Sequence, residues 1–108
     1  MRRVLVAMAA LALAGAAQAA GKADAGKQKA AQICAACHGP AGNQPSAPEN
    51  PILAGQHYDY LVKALRDYKS GKRNNAIMKG FAASLSKQDM EDLAAWFASQ
   101  PSDLHYQR

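Results

Sequence analysis

Apolar residues recur at helical spacing in three stretches of the chain. In the first, read as a helix from Gly21 to Ala36, the residues Gly26, Ala30, Ile33, Cys34 and Cys37 share one face. Lys22, Lys27 and Lys29 stay on its polar side, and Asp24 is expected to cap its free amide hydrogens. Gly26 and Ala30 are small enough to let another helix come close. The second helix is expected over Gln56 to Lys69, with Tyr58, Leu61, Val62, Leu65 and Tyr68 as its buried stripe. Gly71 then supplies a left-handed stop. The third opens at Ser86, with Asp89 three residues on, and with Leu85 and Met90 placed to form a hydrophobic staple. Met90, Leu93, Ala94 and Phe97 make its apolar face, Trp96 lies beside them, and Pro101 ends the run. Between the first two helices, Pro40, Gly42, Asn43, Pro45, Pro48 and Pro51 exclude both helix and central strand. Residues 72–84 read as an irregular loop with at most a short helical turn. No strand pattern and no internal repeat is visible, so the fold class is all-α with three main helices.

The head of the chain has a different character. Met1-Arg2-Arg3 is basic, Val4 to Ala14 is apolar and uncharged, and Ala17-Gln18-Ala19 fits a small-x-small cleavage site. This is the order of a secretory signal peptide. The expected division is a signal peptide at 1–19 and a domain at 20–108. An uncleaved membrane anchor is the alternative, but the apolar run is short for a bilayer. Arg2-Arg3 lacks the rest of a twin-arginine pattern. Export places the domain in an oxidising compartment, the periplasm in a Gram-negative cell, where thiols oxidise unless something claims them.

Composition sharpens the picture. The 108 residues leave room for one domain, and hydrophobic residues reach 49% while aromatic ones reach only 6%. A chain so short and so poor in large apolar side chains usually needs a disulfide, a metal, a cofactor or very good helix packing. The formal net charge is +5, from 13 Lys+Arg against 8 Asp+Glu. A multi-domain enzyme, a collagen-like chain and a highly charged disordered tail are excluded.

One motif carries chemistry: Cys34-Ala35-Ala36-Cys37-His38. C-x-x-C-H is the attachment sequence of c-type haem. Cysteines three apart on a helical turn point the same way, so both thiols reach the two vinyl groups along one porphyrin edge. The next residue, His38, is then carried beneath the ring as the proximal iron ligand. Three other readings of the motif compete. A bare Cys34–Cys37 disulfide suits an oxidising compartment. A thioredoxin-like pair wants a strand before the motif, where an Ala-rich helix stands. A zinc site lacks a second Cys pair or a suitably spaced His.

With these residues in view, the chain resembles a small single-haem class I cytochrome c, of the bacterial cytochrome c553 and c4 kind. The likeness runs through CAACHGPAGN at 34–43, PILAGQ at 51–56 with Tyr60-Leu61, Gly71-Lys72-Arg73, Met78, and LSKQDMEDLAAWFAS at 85–99. It implies three main helices and loops wrapped around one covalently attached haem c. It also implies a sixth iron ligand from a Met before the last helix, and Met78 stands in that place. Met90 belongs to the apolar stripe, and Met1 and Met8 leave with the signal peptide; His57 or His105 would make a bis-His site instead, but both are expected as surface or propionate-side residues. The family's acceptor for the ring N–H of the ligating His is a proline carbonyl, which points to Pro51 rather than Pro40, Pro45 or Pro48. Gln56, Tyr60 and Arg73 resemble positions near haem. The first and last helices are expected to cross closely, Gly26 and Ala30 receiving Trp96 and Phe97.

The resemblance implies an exported, soluble one-electron carrier with His38/Met78 ligation, monomeric and not an enzyme. Six-coordinate iron has no open position for substrate. Its partners are redox-protein donors and acceptors, membrane or periplasmic oxidoreductases. Lys27, Lys29, Lys72, Arg73 and Lys79 are candidates for a positive rim that steers acidic partners. Nucleic acid is not expected, because the basic residues are scattered and no recognition motif accompanies them. Stable membrane insertion is not expected once the signal peptide is removed. Two alternatives stand beside the carrier: a haem-bearing subunit of a periplasmic redox enzyme complex, and a ligand-binding or sensing protein in which Met78 is labile.

Overall fold

The computed structural model describes residues 21–102. The proposed signal peptide, Met1, Met8 and His105 lie outside the described residues. Among those described, five helices and no strand are present: α1 (Ala23–Ile33), α2 (Ala35–His38), α3 (Tyr58–Ser70), α4 (Ala76–Ala82) and α5 (Lys87–Ala98). The three long ones are the three helices expected from the apolar periodicity.

The first helix begins differently from expectation. Asp24 lies inside its first turn, and the N-cap position falls on Lys22, which makes no side-chain cap bond. The partner comes instead from the other end of the chain, where Asp92 Oδ1 of α5 accepts the Lys22 backbone N–H at 2.7 Å. The first helix also does not run unbroken to Ala36. It stops at Ile33, Cys34 forms a turn at φ −109°, ψ −34°, and α2 restarts at Ala35.

α3 ends at Gly71, whose φ of 84° is the left-handed stop that a side chain would disfavour. α5 opens with the expected capping box, Ser86 and Asp89 each accepting the other's backbone N–H. Residues 72–84 depart from the loop expectation, since Ala76–Ala82 form α4.

The core lies where α1, α3, α4 and α5 converge. Ala30, Leu61, Val62, Ala82, Leu85, Met90, Leu93, Ala94 and Phe97 are buried together. The staple pair Leu85 and Met90 belongs to this cluster. No helix among the described residues is long and apolar enough to cross a membrane.

Candidate functional site

The C-x-x-C-H segment occupies the turn at Cys34, just past α1, and the whole of α2. Backbone hydrogen bonds from Cys37 and His38 back to the Cys34 carbonyl (3.2 and 3.0 Å) keep it in one tight turn. Gly39 follows at φ 85°, a conformation open to glycine, and turns the chain sharply after His38. The loop then folds back on the motif. Ser46 N and Asn50 Nδ2 both donate to the Cys37 carbonyl, at 3.0 and 3.2 Å. Leu53 and Ala54 donate to Gly42 O, Gly55 donates to Phe97 O, and Trp96 Nε1 donates to Pro40 O at 3.1 Å. A segment rich in helix breakers is thus pinned in place by hydrogen bonds to the motif and to α5.

That fold-back brings Pro51 to His38. The His38 side chain is buried, and its Nδ1 lies 2.9 Å from Pro51 O. A carbonyl oxygen can only accept, so Nδ1 carries the proton, and Nε2 keeps a lone pair free to bind a metal.

Cys34, Cys37, His38, Pro51 and Met78 all line one cavity of about 480 Å³. Most of the other lining side chains are apolar, supplied by α3, α4 and α5 (Leu61, Leu65, Ile77, Phe81, Leu93 and Phe97 among them). This volume falls in the range of small-molecule and cofactor sites. Burial, and then the neighbouring Cys37, push the Cys34 thiol up to about 11. The protein therefore holds Cys34 as a thiol, the reverse of the depressed pKa that makes a redox-active dithiol reactive. Among the described residues no group of three or more His, Cys, Asp and Glu side chains is arranged to hold a metal ion. A zinc site would have to find its remaining ligands elsewhere.

The donor set fits a c-type haem. Two thiols sit one turn apart at the cavity wall, an oriented imidazole follows them, a methionine from α4 also lines it, and the rest is largely apolar. Gln56, Tyr60 and Arg73 also line the cavity. The Arg73 guanidinium lies over the Tyr68 ring at 4.7 Å and donates to Tyr60 Oη at 3.4 Å.

The candidate positive rim is divided by the fold. Of its five residues only Arg73 lines the cavity. Lys27 lies over the Trp96 ring at 5.5 Å, and Lys29 pairs with Asp89 at 3.7 Å, so both attend the α1–α5 side. Two contributors escaped sequence reasoning. Asn75 Oδ1 accepts the Met78 backbone N–H at 3.0 Å, and Asn50 pins the motif's carbonyl. The first was visible as an Asn just before Ala76-Ile77-Met78, a helix-start signal. The second had no local signature.

Fold and site together define a class I c-type cytochrome. The family model for cytochrome c matches residues 23–101, and the chain belongs to that family. It is 52% identical over 101 residues to cytochrome c4 of Pseudomonas aeruginosa, a match covering 93% of this chain and 49% of that protein. It is 45% identical over 116 residues to cytochrome c4 of Stutzerimonas stutzeri, covering 98% of this chain and 54% of the relative. The crystal structure of reduced recombinant cytochrome c4 from Pseudomonas stutzeri superimposes with a TM-score of 0.71 at 45% identity, over 81% of this chain and 50% of that one. The chain therefore spans about half the length of the curated relatives it matches.

Proposed function

We propose that this domain carries one electron at a time through a single haem c, bound by thioethers to Cys34 and Cys37 and ligated by His38 and Met78. The observation that carries this reading is that all four side chains line one largely apolar cavity. When bound, the haem iron would supply a reversible ferric–ferrous change. The protein's own residues do the rest. The two sulfurs hold the ring permanently. The Pro51 carbonyl keeps His38 in the tautomer that presents Nε2, and raises its strength as a ligand. As a ligand the soft Met78 thioether would favour the ferrous state and raise the potential. Apolar side chains from α3 and α5 keep water from the iron. With His38 and Met78 both holding the iron, the site would exchange electrons rather than bind substrate, and the domain would act as a carrier, not an enzyme.

The same reading makes residues 1–19 a leader removed on export. It places the domain in the periplasm as a monomer, where it meets redox-protein donors and acceptors. The family match and the cytochrome c4 relatives support haem and electron transfer.

The test is an optical spectrum of the protein matured in a host that attaches c-type haem. The expected result is a coloured protein that keeps its haem through denaturing electrophoresis. It should also show a thioether-to-ferric charge-transfer band, lost in Met78→Ala. Replacing both Cys34 and Cys37 by Ser abolishes covalent attachment. A colourless product after proper maturation, or prompt and complete carbon monoxide binding to the reduced protein at neutral pH, overturns the closed-site carrier.

A further inference from the structure

Met78 does not hang from a loop. It sits in the first turn of α4, a helix of only seven residues. Helices so short are marginal alone, because each must offset a costly first turn. Ala82 is its one residue buried among protein side chains, while Ile77, Met78 and Phe81 line the cavity. So short a helix makes few backbone bonds of its own, so the contact that closes its first turn weighs on whether α4 forms.

The decisive local contact ends on Met78 itself. Asn75 is extended at φ −156°, ψ 111°, and its side-chain oxygen accepts the Met78 N–H at 3.0 Å. Its carbonyl accepts the Lys79 N–H at 2.8 Å, closing the first helical turn. Asn75 also lines the haem cavity beside Met78. Gly80 acts in the opposite sense. A Cβ built there meets nothing within 4 Å, so no packing demands glycine, yet glycine is a poor helix former.

We infer that Asn75 is the positioning residue for the sixth iron ligand, its cap on α4 holding the Met78 backbone where the thioether meets the iron, and that Gly80 leaves this grip weaker than the fold allows. The inference rests on the reading of Met78 as ligand. Ligation and helix formation are then coupled: whatever favours α4 favours the Met78–iron bond, and whatever frays it frees a coordination position.

The test uses the haem-loaded protein with four variants: Asn75→Ala, Asn75→Ser, Gly80→Ala and, as control, Met78→Ala. Two quantities are read. One is the denaturant midpoint at which the thioether charge-transfer band disappears, compared with global unfolding by far-ultraviolet circular dichroism. The other is the rate of carbon monoxide binding to the reduced form. Asn75→Ala is expected to lose the band well before the helices melt, and to bind carbon monoxide about fivefold faster, the worth of a typical cap. Asn75→Ser keeps a capping oxygen and should restore both readings. Gly80→Ala should slow carbon monoxide binding by a similar factor.

Band loss that coincides with global unfolding in Asn75→Ala, with an unchanged carbon monoxide rate, overturns the role of Asn75. If Asn75→Ala does not mature, Gly80→Ala decides: slower binding supports the coupling, and an unchanged or faster rate overturns it. A band that survives Met78→Ala overturns the ligand reading, and the assignment of Asn75 falls with it.

Discussion

Gly26 of α1 lies directly against the α5 backbone at Asp92. A Cβ on Gly26 would stand 1.9 Å from the Asp92 carbonyl oxygen and 2.5 Å from its carbon, with Trp96 Cβ at 2.9 Å. The two helices cross with no room for a side chain between them. That crossing carries the cysteine turn at the end of α1, and α5 lines the cavity with Leu93, Ala94 and Phe97.

Gly26→Ala should therefore force the helices apart. The obstacle is backbone, which cannot rotate away, so the cost is expected at about 3 kcal/mol or more. Thermal unfolding of the haem-loaded variant checks this. A change below about 0.5 kcal/mol would show that the crossing tolerates a shift.

Asp92 should matter for a second reason. Its carboxylate is buried and accepts both the Lys22 N–H and Gln88 Nε2, each at 2.7 Å. Asp92→Ala leaves the Lys22 amide without its acceptor and is expected to cost about 1–3 kcal/mol. Amide hydrogen exchange at the start of α1 should rise more than exchange in α3. Equal protection in both helices would argue against a local role.

Acid should weaken the α5 cap. The Ser86 backbone N–H, then the Ser86 hydroxyl and Lys29, hold the Asp89 carboxyl below its usual range, against a smaller opposing effect of burial. A lowered folded-state pKa adds stability that is present above the unfolded value of about 3.9 and is lost as pH falls through the folded value. Asp89 and Lys29 are both partly exposed, so solvent screening keeps the contribution to about 0.5 kcal/mol. Denaturant midpoints measured from pH 6 down to pH 2 should fall less steeply in Asp89→Asn than in the parent. Parallel curves would dismiss the cap as a source of acid sensitivity.

Trp96→Phe keeps a ring beneath Lys27 but loses the 3.1 Å bond to Pro40 O. The expected loss is about 1 kcal/mol. It should come with greater mobility of the loop after His38, read as faster amide exchange at Gly42, whose N–H bonds back to Gly39 O. Exchange unchanged at Gly42 would mean that the remaining loop hydrogen bonds suffice.

Much of this molecule is written in short-range signals. The apolar stripes of α3 and α5 are visible because each repeats over several turns, and Ser86, Asp89 and Gly71 mark boundaries through bonds only a few residues long. The α4 helix was less legible. Seven residues with one cap and one interior glycine carry too little periodic signal to stand out from the loop around them. Ala82 is buried in a core it shares with residues of α1, α3 and α5, which its own neighbours in sequence do not announce. The start of α1 is hard to read for a similar reason: Asp24 looks like a cap locally, but the carboxylate that serves Lys22 stands seventy positions away in sequence.

By itself, the order of residues determined that the chain is helical and that two thiols and an imidazole meet on one turn. Each depends on neighbours within a few positions. Tertiary structure alone decided that Pro51 turns its carbonyl to His38, that Met78 enters the same cavity from a capped helix, and that Lys27 and Lys29 attend the α1–α5 side while Arg73 faces the cavity. Those relationships join segments far apart along the chain. They arise only when burial of the shared core fixes how the helices cross.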